Sequence, residues 1–395
     1  MDGESEFIAG WSRAVAPAVA LVTAEPLLDD EGAIPMRRWV GGHGGFPRPK
    51  LAVISGPPGV SKTTLALEMA ICLAAGLPFG DMLAPEAPCR VLVGVIEDEI
   101  DEIRRRAHAA AGTLTDAPYL RALVNKNLAI VDISDCVPFF VVSPDGTIVE
   151  TAGFAAYEAT VAAFKPDLAF LDPLVELHTA EENSNSLMRP VLKRLRAMSS
   201  AYDCATCLIH HEAKSGDGSP LQRLRGAGSI GGAIRNLISL RPMTKDEAQE
   251  YSVAEDLADL YVKVETGKQQ YARKSKPRWL VVEERDLANG DRAHLLLPWN
   301  APSVSITPEM EAAAIRALRA GVGGEPCTES PRSAAYFRNA FDAAEIARTG
   351  HTELLRRLKA SSEVVPMGWH DPTDRKIRKR LWVQHNSFDG WKEGS

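Results

Sequence analysis

The sequence predicts an α/β fold, a mainly parallel sheet wrapped by helices, followed by a small helical module. Three observations carry that expectation. Between Leu51 and about Leu240, short apolar runs alternate with segments of helical apolar spacing, as strands joined by crossover helices do. The first of those runs passes through a glycine turn into Lys62-Thr63 and then into a helix-forming stretch, Leu65–Ala75. After Pro298-Trp-Asn-Ala-Pro302 the alternation stops and helical segments follow one another.

The expected strands are Leu51–Ser55, Arg90–Ile96, Leu128–Ile133, Leu168–Leu171, Ala205–His210 and Leu237–Leu240. Between them Thr63–Ala75, Glu99–Ala111, Phe154–Phe164 and Ser186–Tyr202 carry apolar residues at helical spacing. Ser143-Pro-Asp-Gly146 is a turn signal between β-rich flanks, so a hairpin is expected between Pro138 and Gly153. Leu260–Lys263 and Trp279–Glu283 read as late strands joined by the basic, polar stretch Glu265–Lys276. Beyond it, Glu309–Ala320, Ser333–Ala344 and Thr352–Ala360 read as helices. Val364–Trp369 and Lys379–Gln384 flank Asp371-Pro-Thr-Asp374 as a terminal hairpin, so the tail has the outline of a winged helix. The expected division is an N-terminal extension at 1–33, an α/β core at 34–298 and a C-terminal module at 299–395.

A chain of 395 residues can bury a sizeable core, and 45% hydrophobic with 25% charged residues is a globular composition. No apolar run suits a membrane span, and the acidic start Met1-Asp-Gly-Glu-Ser-Glu6 is unlike a signal peptide, so a cytoplasmic protein is expected. The net charge of −7 argues against a general basic coat for nucleic acid, though a local basic groove remains compatible with it. Six cysteines without a paired framework suit a reducing compartment. Cys204-Ala-Thr-Cys207 followed by His210 and His211 has the look of a metal site. In a strand, however, that spacing sends the two thiols to opposite faces.

Gly56-Pro57-Pro58-Gly59-Val60-Ser61-Lys62-Thr63-Thr64 has the build of a loop that closes around a triphosphate. Backbone N–H groups turn inward there, and the helix that follows adds its positive end. Lys62 would reach the outer phosphates and the Thr63 hydroxyl would ligate Mg²⁺, which makes ATP and Mg²⁺ the expected cofactors. Ser61 stands where the usual pattern has its second glycine. A serine there needs a backbone conformation that glycine reaches more easily, while Gly56 and Gly59 remain to form the tight turn.

Phe170-Leu-Asp172-Pro173 ends an apolar strand in a carboxylate placed to meet Mg²⁺ opposite Thr63. Ile96-Glu97-Asp98-Glu99 ends the second strand. Glu97 is the candidate for polarising an attacking water, whereas Asp98 and Glu99 suit the start of the next helix. His211, at the end of the strand after the Asp172 strand, is placed to touch the outermost phosphate.

Taken together these residues resemble the RecA-like hexameric helicases, and most closely the RepA-type replicative helicase family of plasmids and phages. The resemblance spans roughly Ile34 to Glu284. It rests on Pro35-Met-Arg-Arg-Trp39, the phosphate loop, Glu97-Asp98, Pro166–Leu174, His210-His211 with Lys214, and Arg225–Arg235. It implies a RecA-like ATPase in a ring, usually of six subunits, with nucleotide between neighbours. In that family's terms Glu97 would be the catalytic carboxylate, Asp172 the Mg²⁺-side aspartate and His211 the phosphate sensor. A cation from the adjacent subunit would complete each site, a role divided between Arg235 and Lys268, since Lys268-Gln-Gln270 lies where relatives often carry Lys-x-Arg or Lys-x-Asn and Gln270 supplies no positive charge.

The resemblance also implies two pore-facing loops that hold single-stranded DNA, here Glu176–Ser186 and Glu212–Leu224. The first is acidic and a poor backbone binder, so Lys214 and Arg223 in the second are the expected DNA contacts. Beyond the resemblance, the tail's Arg356, Arg357, Lys359 and 375–380 cations form a further basic stretch. The expected function is Mg²⁺-dependent ATP hydrolysis by a ring-forming helicase moving on single-stranded DNA. The alternative is an ATP-controlled DNA-binding or regulatory protein that does not translocate.

Overall fold

The computed structural model describes residues 34–114, 118–212, 218–224, 227–301, 306–330, 333–346, 348–370 and 377–383. The chain divides into two compact units, Met1–Arg37 and Arg38–Ser395. In the first, the described residues 34–37 form neither helix nor strand. The second opens with β1 (Trp39–Val40), β2 (Phe46–Pro47), β3 (Leu51–Gly56), α1 (Lys62–Ala75), β4 (Val91–Val95), α2 (Ile100–Leu114) and α3 (Pro118–Asn127). Next come β5 (Leu128–Asp132), a hairpin of β6 (Phe140–Val142) and β7 (Ile148–Glu150), α4 (Ala152–Phe164), β8 (Leu168–Asp172), α5 (Asn185–Ala201) and β9 (Ala205–His211). α6 (Pro220–Arg223), α7 (Ala227–Ala233), β10 (Asn236–Pro242), α8 (Lys245–Glu250), β11 (Tyr261–Gln269), β12 (Arg278–Asp286) and β13 (Arg292–Trp299) complete the α/β part. The tail holds α9 (Pro308–Ala320), α10 (Phe337–Ala343), α11 (His351–Ala360), β14 (Val364–His370) and β15 (Ile377–Val383).

Nine strands form one sheet in the order β13-β12-β11-β10-β3-β9-β8-β4-β5. From β10 to β5 every neighbour is parallel, and β10 to β13 continue antiparallel. The parallel strands are apolar almost throughout because helices cover both faces. α1 is buried along its length against one face, with Leu65, Met69 and Leu73 in its core. Phe154, Leu192, Leu195 and Ile230, from α4, α5 and α7, fill the core of the other. β9 lies between the phosphate-loop strand β3 and the Asp172 strand β8, the topology of a RecA-like core. Register brings the strand ends together: Gly56 pairs with His211, and Asp172 with Val95.

The tail builds its own core from Leu318, Phe341, Leu354, Leu358, Val364 and Leu381. α9, α10 and α11 surround it with the β14-β15 hairpin, and Leu381 N also donates to Cys327 O at 2.7 Å. Arg338 and Thr352 fasten this part to Glu250 on α8. Among the described residues no helix is long and apolar enough to cross a membrane. Cys204 packs in the α4/α5 layer and Cys207 in the α1 layer, on opposite faces of the sheet.

Candidate nucleotide-binding site

The loop from Pro57 to Ser61 turns β3 into α1. Gly56 is required by space, since a Cβ there would lie 2.7 Å from Val60 Cγ1 and 2.8 Å from Leu240 O. Gly59 is required by conformation, with φ 78°. Ser61 takes the left-handed region as well, φ 65° and ψ 34°, at the N-cap of α1. The first N–H groups of α1 have no carbonyl behind them within the helix, which leaves them to an anion.

Lys62 Nζ donates to Gly56 O at 3.2 Å and Pro57 O at 2.9 Å, and lies 3.3 Å from His211 Nδ1. Burial lowers its pKa, while the nearby Asp172, Glu97 and Glu212 pull it back up. Thr63 Oγ1 donates to Asp172 Oδ2 at 2.6 Å. Burial raises the Asp172 carboxyl to about 6, against the opposing effect of the Thr63 bond. That hydroxyl and carboxylate make an all-oxygen pair, the donor set a hard cation takes, and so they fit Mg²⁺. Glu97 lies on the exposed turn after β4. Partial burial with Glu176 and Asp98 nearby raises its pKa, offset in part by Lys62. Asp98 does not face the loop freely, because Arg106 Nη1 donates to it at 2.7 Å across the first turns of α2.

His210 points the other way from His211 and is buried, its Nδ1 3.6 Å from Glu182 Oε1. Glu212 was not singled out by sequence reasoning, yet it is buried directly behind the loop. It accepts from Ser55 Oγ at 2.8 Å, Ser239 Oγ at 2.6 Å and Arg223 Nε at 2.9 Å. The only sequence signal was its place just after the paired histidines.

The expected DNA contact at Arg223 needs correction. Arg223 is 7% exposed, and besides Glu212 it donates to Ser239 Oγ at 2.8 Å and Gly218 O at 3.0 Å. Those bonds hold β3, β9 and β10 together, and the guanidinium is not presented to a strand. Lys214 lies outside the described residues. Arg235 and Lys268 sit side by side at the far end of the sheet: Arg235 N donates to Leu51 O at the start of β3, and Lys268 Nζ to Gly231 O, each at 2.8 Å. Burial and the neighbouring Arg235 lower the Lys268 pKa. Neither reaches the phosphate loop of its own chain.

Fold and site together define a P-loop ATPase of the RecA-like kind. Residues 17–217 match the model of the family described as AAA domain, more than half of the 395 residues, and the chain belongs to that family. A similar solved structure is a KaiC-like protein from the hyperthermophilic archaeon Pyrococcus horikoshii. It is 19% identical, covers 67% of this chain and 99% of its own, and superposes with a TM-score of 0.40.

Proposed function

We propose that the chain is a Mg²⁺-dependent ATPase that assembles into a ring and moves along single-stranded DNA, as a replicative-type helicase of the RepA kind does. The observation that carries the ATPase part is the meeting of Lys62, Thr63, Asp172 and His211 at one edge of the sheet, with the Glu97 turn beside them. Mg²⁺, held by Thr63 and Asp172, would neutralise phosphate charge. Lys62 would exchange the carbonyls of Gly56 and Pro57 for phosphate oxygens. Glu97 would orient a water and accept its proton, a task that suits a carboxylate held above its ordinary pKa. His211, next to Lys62, would lose or gain a contact as the terminal phosphate leaves, and so move the segment after β9.

Ring assembly is supported by the position of Arg235 and Lys268, too far from their own loop to act in cis. The test of the chemistry is Glu97→Gln. Nucleotide binding should persist while turnover falls by about 10²-fold or more. A variant that hydrolyses ATP at the parental rate would end the assignment. Stimulation of turnover by single-stranded DNA, together with fork unwinding, tests the motor.

The tail favours a second reading, an ATP-controlled DNA-binding protein without translocation. Three helices followed by the β14-β15 hairpin, with Leu381 N bonded to Cys327 O, support reading the tail as a winged helix. Against it, Arg356, Arg357 and Lys359 are neutralised by Glu353, Glu311 and Glu329. Removing the chain beyond Pro302 separates the two: a regulator loses DNA binding, and a motor keeps DNA-stimulated turnover.

A further inference from the structure

The cations on α5 are treated in two ways. Arg194 is neutralised, its Nε donating to Glu150 Oε1 at 2.6 Å and its Nη2 to Glu158 Oε2 at 2.8 Å. Arg189, Lys193 and Arg196 stand at i, i+4 and i+7, share another face, and are exposed. Among the described residues none of these three has an ion-pair partner. Several helix arginines elsewhere do: Arg104, Arg105 and Arg106 on α2 pair with Asp101, Glu102 and Asp98, and Arg356 and Arg357 on α11 with Glu353 and Glu311. Like charges at this spacing repel, and among the described residues no carboxylate pairs with them.

The three cations rim a cleft of about 570 Å³ between α5 and α7. Pro190 lends it an apolar wall, and Ser229 and Gly232 form the α7 side. A Cβ on Gly232 would meet nothing within 4 Å, so an extended chain in the cleft can come close to the α7 backbone. Along α5 the cations span about 10 Å, at about 1.5 Å of rise per residue, which suits a few phosphates of one extended strand. The cleft lies between α5 and α7. α5 begins after the loop that follows Asp172, so one end of the cleft lies towards the nucleotide edge of the sheet.

We propose that this cleft holds the sugar–phosphate backbone of single-stranded nucleic acid, with Arg189, Lys193 and Arg196 each meeting a phosphate. The proposal rests on reading the chain as a nucleic-acid-dependent ATPase, and it gives the strand a seat that the buried Arg223 does not.

The test uses the full chain with a non-hydrolysable ATP analogue and a fluorescein-labelled oligothymidylate, followed by fluorescence anisotropy across a salt series. The triple variant Arg189→Gln, Lys193→Gln, Arg196→Gln should weaken binding about tenfold or more. It should also reduce the slope of log K against log salt by about 2, three contacts at about 0.7 each. Gly232→Phe, which blocks the cleft without touching charge, should weaken binding and leave most of the slope. Both variants should keep DNA-free ATP turnover.

Unchanged affinity and slope in the triple variant overturn the proposal. So does parental protein that does not bind the oligonucleotide, or a triple variant that sediments as a smaller assembly without DNA, which would assign the cleft to contact between copies. If the triple variant binds normally and turnover still responds to DNA, the cleft fails and the motor stands. If binding needs the cleft but turnover ignores DNA, the cleft stands and the motor fails.

Discussion

Ser61 holds a left-handed backbone at the first turn of α1, a conformation that costs a non-glycine residue roughly 1–2 kcal/mol. The turn is fixed from both sides, by the space that Gly56 must leave empty and by the Leu65 N to Ser61 O bond at 3.0 Å. Ser61→Gly removes that cost but gives the unfolded chain more freedom. Thermal unfolding of the nucleotide-free protein should therefore show a gain of at most about 1 kcal/mol, with ATP affinity retained. Ser61→Val should lose more than about 1 kcal/mol, since a β-branched side chain is a worse tenant of that region. Equal stability of all three proteins would remove strain from the account. Ser61 was legible because a motif of fixed order says which residue must make the turn. Lys62, Thr63, Asp172 and His211 were legible for a related reason, since each lies at a strand end or helix start and parallel register brings such ends together. Arg223 was not. Its partners Glu212, Ser239 and Glu265 come from three other places in the chain, and a cation in a polar stretch reads as exposed until those pairings are seen.

Among the elements, α1 is tied to an edge of the sheet by a carboxyl group. Glu68 Oε1 accepts from Leu296 N of β13 at 2.6 Å, and its Oε2 is buried with no hydrogen-bond partner among the described residues. Burial raises the Glu68 pKa from 4.5 to about 8, although the Leu296 bond and the charge of Arg285 pull it down. Its folded pKa therefore lies above its unfolded value. The stability this contributes is complete below about pH 4.5 and is lost as pH rises towards about 8, at up to about 1.4 kcal/mol per pH unit. Glu68→Gln keeps an acceptor for Leu296 N and cannot ionise. Its melting temperature relative to the parent should climb between pH 5 and pH 8, and a constant offset across that range would show that Glu68 does not titrate there. The partner strand β13 escaped the sequence reading, as did α3. β13 (Arg292–Trp299) lies at the sheet edge with its side chains only partly buried, so its pattern is weak, and it ends in the Pro298-Trp299 pair that signals a break. α3 has a short and mostly exposed helical face. The buried parallel strands, by contrast, declare themselves through continuous apolar runs.

In the whole molecule, the candidate catalytic groups lie at one end of the sheet and the candidate trans-acting cations at the other. β3 separates them: Leu51 at its start bonds to Arg235, and Gly56 at its end leads into the loop, about 16 Å apart at about 3.3 Å per residue. A single chain therefore cannot bring Arg235 or Lys268 to its own γ-phosphate without unmaking the sheet; in the proposed ring a neighbouring copy would supply them. The consequence is complementation. Lys62→Ala should destroy the site that a subunit carries, and Arg235→Ala should destroy the site it serves on its neighbour. Each protein alone should show little turnover. When they are mixed, junctions that join an intact loop to an intact cation form again, and part of the activity should return in proportion to their share. The same arrangement makes specific activity rise with protein concentration until the assembly is complete. Turnover per chain that is constant on dilution to the monomer, with no recovery on mixing, would mean that each chain hydrolyses ATP alone, and the far-end cations would then belong to the surface.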